Sequence, residues 1–301
     1  MNKTFIPSLH KYISKGGLGC VTFGREIDVP TSFSIMDYAL EKEIVFFDTA
    51  AVYGGGASEE IIGQWFTQRG KAAAHITIAT KLLPPFKSTT ITAAVEQSLM
   101  RLRRDRIDIL FLHSWHSSVE DDHVLAELNK LFISGKIGAL GVSNFNVKQL
   151  NALLQKQINN NLIQVAFIQN NQNFAVSDVD DELRELCRDF NIHIITYSPL
   201  GAGFLTGKYR YAVSPDTRFE IIPGHKDIYF NDHAWERLDK LLRVAEETGK
   251  PVASLALSWA FRQPQISSVL IGCRSTRHID QALAAMREED AGLLDLLATA
   301  L

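Results

Sequence analysis

Apolar runs of strand length alternate with helical patterns along the chain, and this alternation constrains the fold more than any other feature. Eight such runs follow one another within 301 residues, and predicted helices separate nearly all of them. Repeated strand–helix units favour parallel pairing through right-handed crossovers. The pattern therefore predicts an α/β fold, a single (β/α)8 TIM barrel over residues 1–301 with a short N-terminal hairpin and extra C-terminal helices.

The predicted strands are runs rich in β-branched and aromatic residues that end in glycine or in a polar residue. They lie at residues 16–24, 45–48, 76–81, 107–113, 137–142, 162–168, 193–196 and 268–271. Residues 8–15 are expected to form the hairpin. The segment 199–230 is longer than an ordinary connection, and such segments are usually functional or mobile.

Composition and charge exclude several classes of function. A net charge of −3 and the lack of a dominant basic run argue against a nucleic-acid-binding protein. No apolar stretch approaches the roughly 20 residues of a membrane helix, and residues 1–7 lack the core of a signal peptide. The three cysteines are far apart and form no CxxC motif, so we expect no metal site, and reduced thiols in a cytoplasmic protein.

Polar side chains close most of the predicted strands. They are Asp48, Lys81, His113, Ser143 with Asn144, Gln169 and Tyr197. Tyr53 lies a few residues beyond Asp48, beside a glycine triplet at 54–56. Since barrel active sites lie at the C-terminal ends of the strands, these residues predict a polar mouth on an apolar barrel.

The chemistry of this mouth follows from the residue types. A lysine near Tyr53 would lower the pKa of the phenol, and an aspartate would keep that lysine charged and in place. A histidine beside the tyrosine could donate a hydrogen bond to a carbonyl oxygen. These groups can protonate an oxygen, but they supply no electron pair to the carbon, so a hydride cofactor is expected.

Several separated motifs, in one order along the chain, resemble those of the aldo-keto reductases. They are Asp48-Thr49-Ala50, Tyr53-Gly54, Ser58-Glu59, Thr80-Lys81, Leu112-His113, Gly141-Val142-Ser143-Asn144-Phe145, Gln169 with Asn173, Tyr197-Ser198-Pro199-Leu200-Gly201, Leu205-Thr206-Gly207-Lys208-Tyr209, and Ile271-Gly272 through Ser275. The resemblance implies a barrel reductase that uses a nicotinamide cofactor without a Rossmann domain. It implies that Tyr53 is the general acid, that Lys81 and Asp48 tune it, and that His113 orients the carbonyl.

The resemblance also implies the cofactor-binding residues. Ser143, Asn144 and Gln169 would hold the carboxamide, and Tyr197 would stack on the nicotinamide ring. The loop from Ser198 to Lys208 would pass over the pyrophosphate. The residues expected to contact the cofactor in that loop and beyond the last strand are Ser198, Leu200, Gly201, Gly203, Leu205, Lys208, Gly272, Arg274, Ser275, Arg277 and Gln281.

The start of the last predicted helix favours NADP(H) over NAD(H). Arg274 and Arg277 flank Ser275 there, and a helix N-terminus with two arginines suits an adenosine 2′-phosphate. An ordinary solvated helix start is the alternative. Relatives often carry asparagine where this chain has Ala282, which weakens the expected adenine contacts.

The sequence leaves the substrate and the direction of reaction open. Phe23 and Trp115 are predicted to form apolar walls of the substrate pocket. The leading hypothesis is reduction of an aldehyde, ketone or open-chain sugar. The alternatives are an NAD(P)-linked sugar or alcohol dehydrogenase, and a cofactor-binding regulatory subunit with little turnover.

Overall fold

Within the residues that the computed structural model describes, 2–210, 213 and 217–299, eight parallel strands close into a barrel. Each barrel strand pairs with the next along the chain, and the last, Ile266–Gly272, pairs back with the first, Gly16–Gly19. Their bounds are β3 Gly16–Gly19, β4 Phe46–Asp48, β5 Thr77–Leu82, β6 Ile107–Leu112, β7 Ile137–Ser143, β8 Val165–Asn171, β9 His193–Tyr197 and β10 Ile266–Gly272. The predicted (β/α)8 fold is confirmed.

Helices surround the barrel and fill most connections between its strands. They are α1 Val29–Glu41, α2 Ala57–Arg69, α3 Ser88–Leu102, α4 Asp122–Ile133, α5 Val147–Asn159, α6 Asp181–Asp189, α7 Arg218–Ile221, α8 His225–Tyr229, α9 Asp232–Thr248, α10 Val252–Arg262, α11 Thr276–Met286 and α12 Ala291–Thr299. Their apolar faces and the outer faces of the strands share one large core.

A hairpin covers the N-terminal end of the barrel. It joins β1 Lys3–Ile6 to β2 Lys11–Ser14 and so begins earlier than predicted. Its buried side chains pack onto the aromatic residues inside the barrel. Lys11 also donates to Asp108 at 2.8 Å and to the Ile76 carbonyl at 2.9 Å. Since this end is covered, the opposite end of the barrel is the one that can admit a ligand.

The long segment 199–230 crosses that opposite end, although its residues 211, 212 and 214–216 lie outside the described part of the chain. It contains a 3-10 turn at Gly201–Thr206 and the short helices α7 and α8. Aromatic rings hold it together, with the ring of Phe204 lying 5.8 Å from that of Tyr229 and 4.6 Å from that of Trp235. The segment is therefore a packed cover over the barrel mouth.

Candidate active site

The ends of β4 and β5 bring Asp48 and Lys81 into contact inside the barrel mouth. The Lys81 ammonium lies 2.5 Å from an Asp48 carboxylate oxygen and donates to the Thr49 carbonyl at 2.8 Å. It also lies 3.5 Å from the Tyr53 hydroxyl. The second Asp48 oxygen accepts from the Gln169 amide at 2.9 Å. The lysine is thus held by a buried carboxylate and directed at the tyrosine.

Glycine allows the sharp turn that carries Tyr53 to this position. The three residues after Tyr53 have positive φ angles of 59°, 65° and 103° at Gly54, Gly55 and Gly56. Residues with a Cβ rarely adopt that region, whereas glycine adopts it readily. The chain can therefore pass directly from the Tyr53 turn into α2, which starts at Ala57.

Burial and charge act in opposite directions on the Lys81–Asp48 pair. Burial opposes the charge of Lys81, but Asp48 and Tyr53 outweigh it and raise the pKa of the lysine. Burial raises the pKa of the Asp48 carboxyl against the pull of Lys81 and Gln169. We favour the ion pair, because the ammonium has two close oxygen acceptors.

The expectation that Lys81 lowers the pKa of Tyr53 is wrong in its net effect. Burial raises the pKa of Tyr53, and the charge of Lys81 opposes this rise without outweighing it. The phenol is therefore protonated at neutral pH, which is the form that a general acid requires.

His113 lies beside the phenol and is neutral. The two rings meet edge to face, with centroids 5.8 Å apart. Burial, and then the charge of Lys81, lower the pKa of His113 to about 3. Its Nδ1 is buried and has no hydrogen-bond partner among the described residues. We assign the proton to Nε2, because a buried donor without an acceptor costs more than an unused lone pair.

Ser58 and Glu59, at the start of α2, contact the neighbouring strand ends. Ser58 does not cap α2 but donates to the Cys20 carbonyl at 2.9 Å and contacts the Thr49 hydroxyl at 2.8 Å. Glu59 is fully buried, accepts from Thr80 at 2.5 Å and forms an ion pair with Arg101 at 2.7 Å. Both residues therefore stabilise the strand ends that carry Asp48 and Lys81.

The predicted carboxamide residues form one hydrogen-bonded group at the ends of β7, β8 and β9. Asn144 has a positive φ of 59° and donates to the His113 carbonyl at 2.9 Å. Its side-chain oxygen accepts from the Tyr197 hydroxyl at 2.6 Å. Ser143 donates to the Gln169 carbonyl at 2.8 Å. The network positions the Tyr197 ring next to Asn144 at the mouth.

A cavity of about 700 Å³ opens above these strand ends and extends to the start of α11. Most of the predicted site residues line it. They are Asp48, Tyr53, His113, Ser143, Asn144, Gln169, Tyr197, Ser198, Leu200, Gly203, Lys208, Gly272, Arg274 and Gln281. Residues from distant parts of the sequence thus meet around one space.

Other predicted residues lie outside the cavity lining. They are Lys81, Gly201, Leu205, Ser275, Arg277, Phe23 and Trp115. Lys81 lies beneath Tyr53 and reaches the site through it. Phe23 is fully buried and Trp115 is 37% exposed, and neither lines this cavity, so their place in a substrate pocket stays a prediction.

The structure also shows cavity residues that the sequence did not reveal. Arg25, Glu26, Arg218 and His225 line the space beside Tyr53. Glu26 and Arg218 form an ion pair at 2.6 Å across a separation of 192 residues. No local spacing could have found this pair, although the unusual length of segment 199–230 pointed to the region that carries Arg218.

The cavity lining combines polar and cationic groups. The tyrosine and the amide groups line it, and so do the cations Lys208 and Arg274 with the exposed Gln281. Ala282 is buried in the core, so position 282 faces away from the cavity while its neighbour Gln281 faces it. Ser198 to Lys208, with α11 opposite, would hold the phosphates and adenosine of a dinucleotide.

Comparison with known proteins decides the family. Residues 17–295 match the Aldo/keto reductase family. The chain belongs to this family. The chain is 30% identical over 294 residues to aflatoxin B1 aldehyde reductase member 4 of Homo sapiens, with coverage of 90% of this chain and 88% of the relative. The chain is therefore an oxidoreductase, from a family whose members use nicotinamide cofactors.

Two further relatives show the range of the family. A probable voltage-gated potassium channel subunit beta of Arabidopsis thaliana is 29% identical, with coverage of 92% of this chain and 90% of the relative. The holo form of the aldo-keto reductase AKR11C1 from Bacillus halodurans superposes with a TM-score of 0.77. That likeness covers 100% of this chain and 96% of the other at 21% identity, and it supports the fold alone.

Two further findings concern the described residues, 2–210, 213 and 217–299. None of the helices among them is long and apolar enough to cross a bilayer. Among the same residues, no group of three or more histidine, cysteine, aspartate or glutamate side chains could hold a metal ion.

Proposed function

We propose that this aldo/keto reductase is an NADPH-dependent carbonyl reductase that converts an aldehyde, ketone or open-chain sugar into an alcohol. The observation that carries the proposal is the Lys81 ammonium, which lies within reach of both Asp48 and the Tyr53 hydroxyl. Such a set can deliver a proton to an oxygen at the cavity floor. Family membership supports the hydride half of the reaction.

When bound, the nicotinamide supplies the hydride that the carbonyl carbon accepts. The chain supplies the rest. Tyr53 holds its proton at neutral pH and donates it to the carbonyl oxygen as negative charge develops there. The nearby Lys81 charge stabilises the phenolate that Tyr53 becomes. Neutral His113 donates from Nε2 to the same oxygen and so orients the carbonyl.

Positive charge in the cavity lining supports a preference for NADPH. Arg274 lies at the start of α11 and is exposed, so its guanidinium can meet an added phosphate. Lys208 lines the same cavity, on the loop that would cover the pyrophosphate. Ser143, Asn144, Gln169 and Tyr197 would hold and stack the nicotinamide. A cytoplasmic location stays a prediction from the sequence.

The relatives favour reduction of aldehydes and leave one second candidate. One relative is named as an aldehyde reductase, which agrees with a carbonyl substrate here. Another is named as a channel subunit, which favours a cofactor-binding role with little turnover. The proton-donor group of Asp48, Lys81, Tyr53 and His113 is assembled in this chain, and it argues for catalysis.

A substrate panel with both cofactors tests the proposal. We expect NADPH absorbance to fall when aldehydes, ketones or open-chain sugars are added, with a lower KM for NADPH than for NADH. Comparing oxidation of the product alcohol at the same pH identifies the favoured direction. Tight NADPH binding without turnover of any panel member would overturn the proposal in favour of the binding role.

A further inference from the structure

Glu59 lies between the turn that carries Tyr53 and the strand that carries Lys81. Its side chain is fully buried in the first turn of α2. One carboxylate oxygen accepts from the Thr80 hydroxyl at 2.5 Å, and the other accepts from the Arg101 guanidinium at 2.7 Å. Both oxygens are therefore engaged, one with β5 and the other with α3.

The bond to Thr80 holds the part of β5 from which Lys81 extends. Successive side chains of a strand point to opposite faces, so Thr80 and Lys81 leave β5 in opposite directions. Lys81 contacts Asp48 inside the barrel mouth, whereas Thr80 contacts α2 outside it. The Lys81 carbonyl also accepts from the Ala51 amide at 3.1 Å, just before the Tyr53 turn. A shift of β5 at Thr80 would therefore move the lysine.

Arg101 packs against the glycine turn that follows Tyr53. A Cβ at Gly56 would lie 3.0 Å from the Arg101 Cδ atom and 3.2 Å from its Nε atom, so the arginine stem covers the end of this turn. α3 can approach this closely because Gly63, one turn further along α2, has no side chain there. An added Cβ at Gly63 would clash with the Arg101 carbonyl oxygen. The ion pair thus touches the Tyr53 turn on one side and β5 on the other.

The contact between these two elements is sensitive to small movements. The Lys81 Nζ atom lies 3.5 Å from the Tyr53 hydroxyl, beyond the roughly 2.7–3.2 Å that is usual for a protein hydrogen bond. A small further separation would end the contact, and a small approach would make it a normal hydrogen bond. The groups that fix both elements therefore determine its length.

We propose that Glu59 and Arg101 are positioning residues that set the distance between Lys81 and Tyr53, and so the rate at which Tyr53 delivers its proton. This inference rests on the proposed carbonyl reductase function. Neither side chain is among the residues that line the cavity in the described part of the chain, so both act through the groups that they hold. A buried ion pair stabilises a fold little more than apolar side chains of the same volume, so stability alone does not account for the pair.

Substitution of Glu59 separates positioning from binding. Glu59→Ala is expected to lower kcat by about tenfold to a hundredfold, because small displacements of catalytic groups have effects of this size. KM and Kd for NADPH should stay unchanged. Glu59→Gln should recover most of kcat, because its amide can still accept from Arg101 and can donate to the Thr80 hydroxyl. Rates are measured well below the unfolding temperature of each variant.

Thr80→Val provides the same test with a smaller change and serves if Glu59→Ala does not fold. It replaces one hydroxyl by a methyl group and so removes the bond between Glu59 and β5. We expect kcat to fall by about tenfold while the KM for NADPH stays the same. Unchanged kcat in folded Thr80→Val and Glu59→Ala would overturn the inference.

Asp108→Ala is the matched control for loss of a buried carboxylate that holds β5. Asp108 is 5% exposed and accepts from the Ile78 amide of β5 at 2.9 Å and from Lys11 at 2.8 Å. It therefore holds the same strand at the end that the hairpin covers. This variant should unfold at a lower temperature without a fall in kcat. A fall as large as that of Glu59→Ala would contradict a specific role for Glu59.

A double-mutant cycle determines whether Glu59 acts through Tyr53. In Tyr53→Phe, the added Glu59→Ala substitution should change kcat by less than about twofold, because the proton donor is already absent. Equal losses in both backgrounds would overturn the inference and make Glu59 a general support of the fold, with carbonyl reduction intact. Absence of turnover by the wild-type protein with every aldehyde would instead contradict the proposed function, and the inference with it.

Discussion

The barrel strand ends and the long segment 199–230 contribute to the same cavity in different ways. The strand ends place Asp48, Lys81 and Gln169 on hydrogen-bonded backbone, and their side chains are almost fully buried. The long segment places Arg218 and His225 on helices of four and five residues, which aromatic rings within the segment hold together. The difference indicates that hydrogen-bonded strands fix the candidate catalytic groups, whereas the long segment closes the cavity around them.

The largest effect in the strand-end region is expected from substitution of the buried lysine. Lys81→Met leaves Asp48 as an unpaired buried charge, so we expect unfolding to become easier by about 3–5 kcal/mol. Turnover should fall by about 10²- to 10³-fold, because the charge beside Tyr53 is lost. Urea unfolding and steady-state rates measure the two effects. Adding Asp48→Asn should recover part of the stability but not the turnover, and recovery of both would contradict the account.

Replacing glycines in the two regions should give effects of opposite sign. An added Cβ at Gly63 in α2 would lie 2.0 Å from the Arg101 carbonyl oxygen of α3, so Gly63→Ala should destabilise by about 3 kcal/mol. Gly224 in the long segment has a helical φ of −59° and open space around it. Gly224→Ala should stabilise by about 0.4–1 kcal/mol. Thermal unfolding measures both changes in stability. Equal changes in the two variants would contradict the proposed difference in packing between α2 and the long segment.

Acid should destabilise the strand-end site through His113. Its pKa is about 3 in the folded chain, while an unfolded histidine titrates near about 6.5. The folded state does not bind this proton in that range. The His113 contribution to stability is therefore fully present above about pH 6.5 and is lost as the pH falls towards 3. Between pH 6.5 and 4.5 the loss is about 2 kcal/mol. His113→Gln should lack this component in urea titrations at the two pH values, and an identical loss in both proteins would contradict it.

The smallest predicted effect concerns the attachment of the long segment. The Tyr229 hydroxyl accepts from the Asn171 and Asn173 amides, each at 3.1 Å. Tyr229→Phe should therefore cost about 1 kcal/mol and speed hydrogen exchange in residues 217–230. The matched control is Tyr209→Phe, because the buried Tyr209 hydroxyl has no hydrogen-bond partner in the described chain. Exchange that changes equally in both variants would show that this hydroxyl is not an anchor.

The barrel could be predicted because its signals are local. Each strand is a short apolar run, and the series of polar residues that end these runs, together with the family motifs, indicated Asp48 and His113. The meeting of Lys81, Asp48 and Tyr53 followed from the rule that barrel strand ends share one face. Where a signal and its consequence lie within a few residues, the sequence suffices.

The remaining features depend on contacts between distant residues. Ser58 reads as a helix cap, but it is buried against the Cys20 carbonyl, 38 residues away. Glu59 reads as a solvated charge at a helix start, but it pairs with Arg101, 42 residues away. The direction of the Tyr53 pKa shift depends on how deeply the phenol is buried, and neither its residue type nor its neighbours in sequence show that depth.

Substitution of Tyr53 by phenylalanine tests the central claim most directly, since it removes one oxygen and leaves the ring in place. NADPH binding is measured by fluorescence and aldehyde reduction by NADPH absorbance, on the same preparations. The account predicts that the variant binds NADPH as the wild-type protein does, while its turnover falls by about 10²- to 10⁴-fold. Turnover within a few-fold of the wild-type rate, with the same binding, would contradict it.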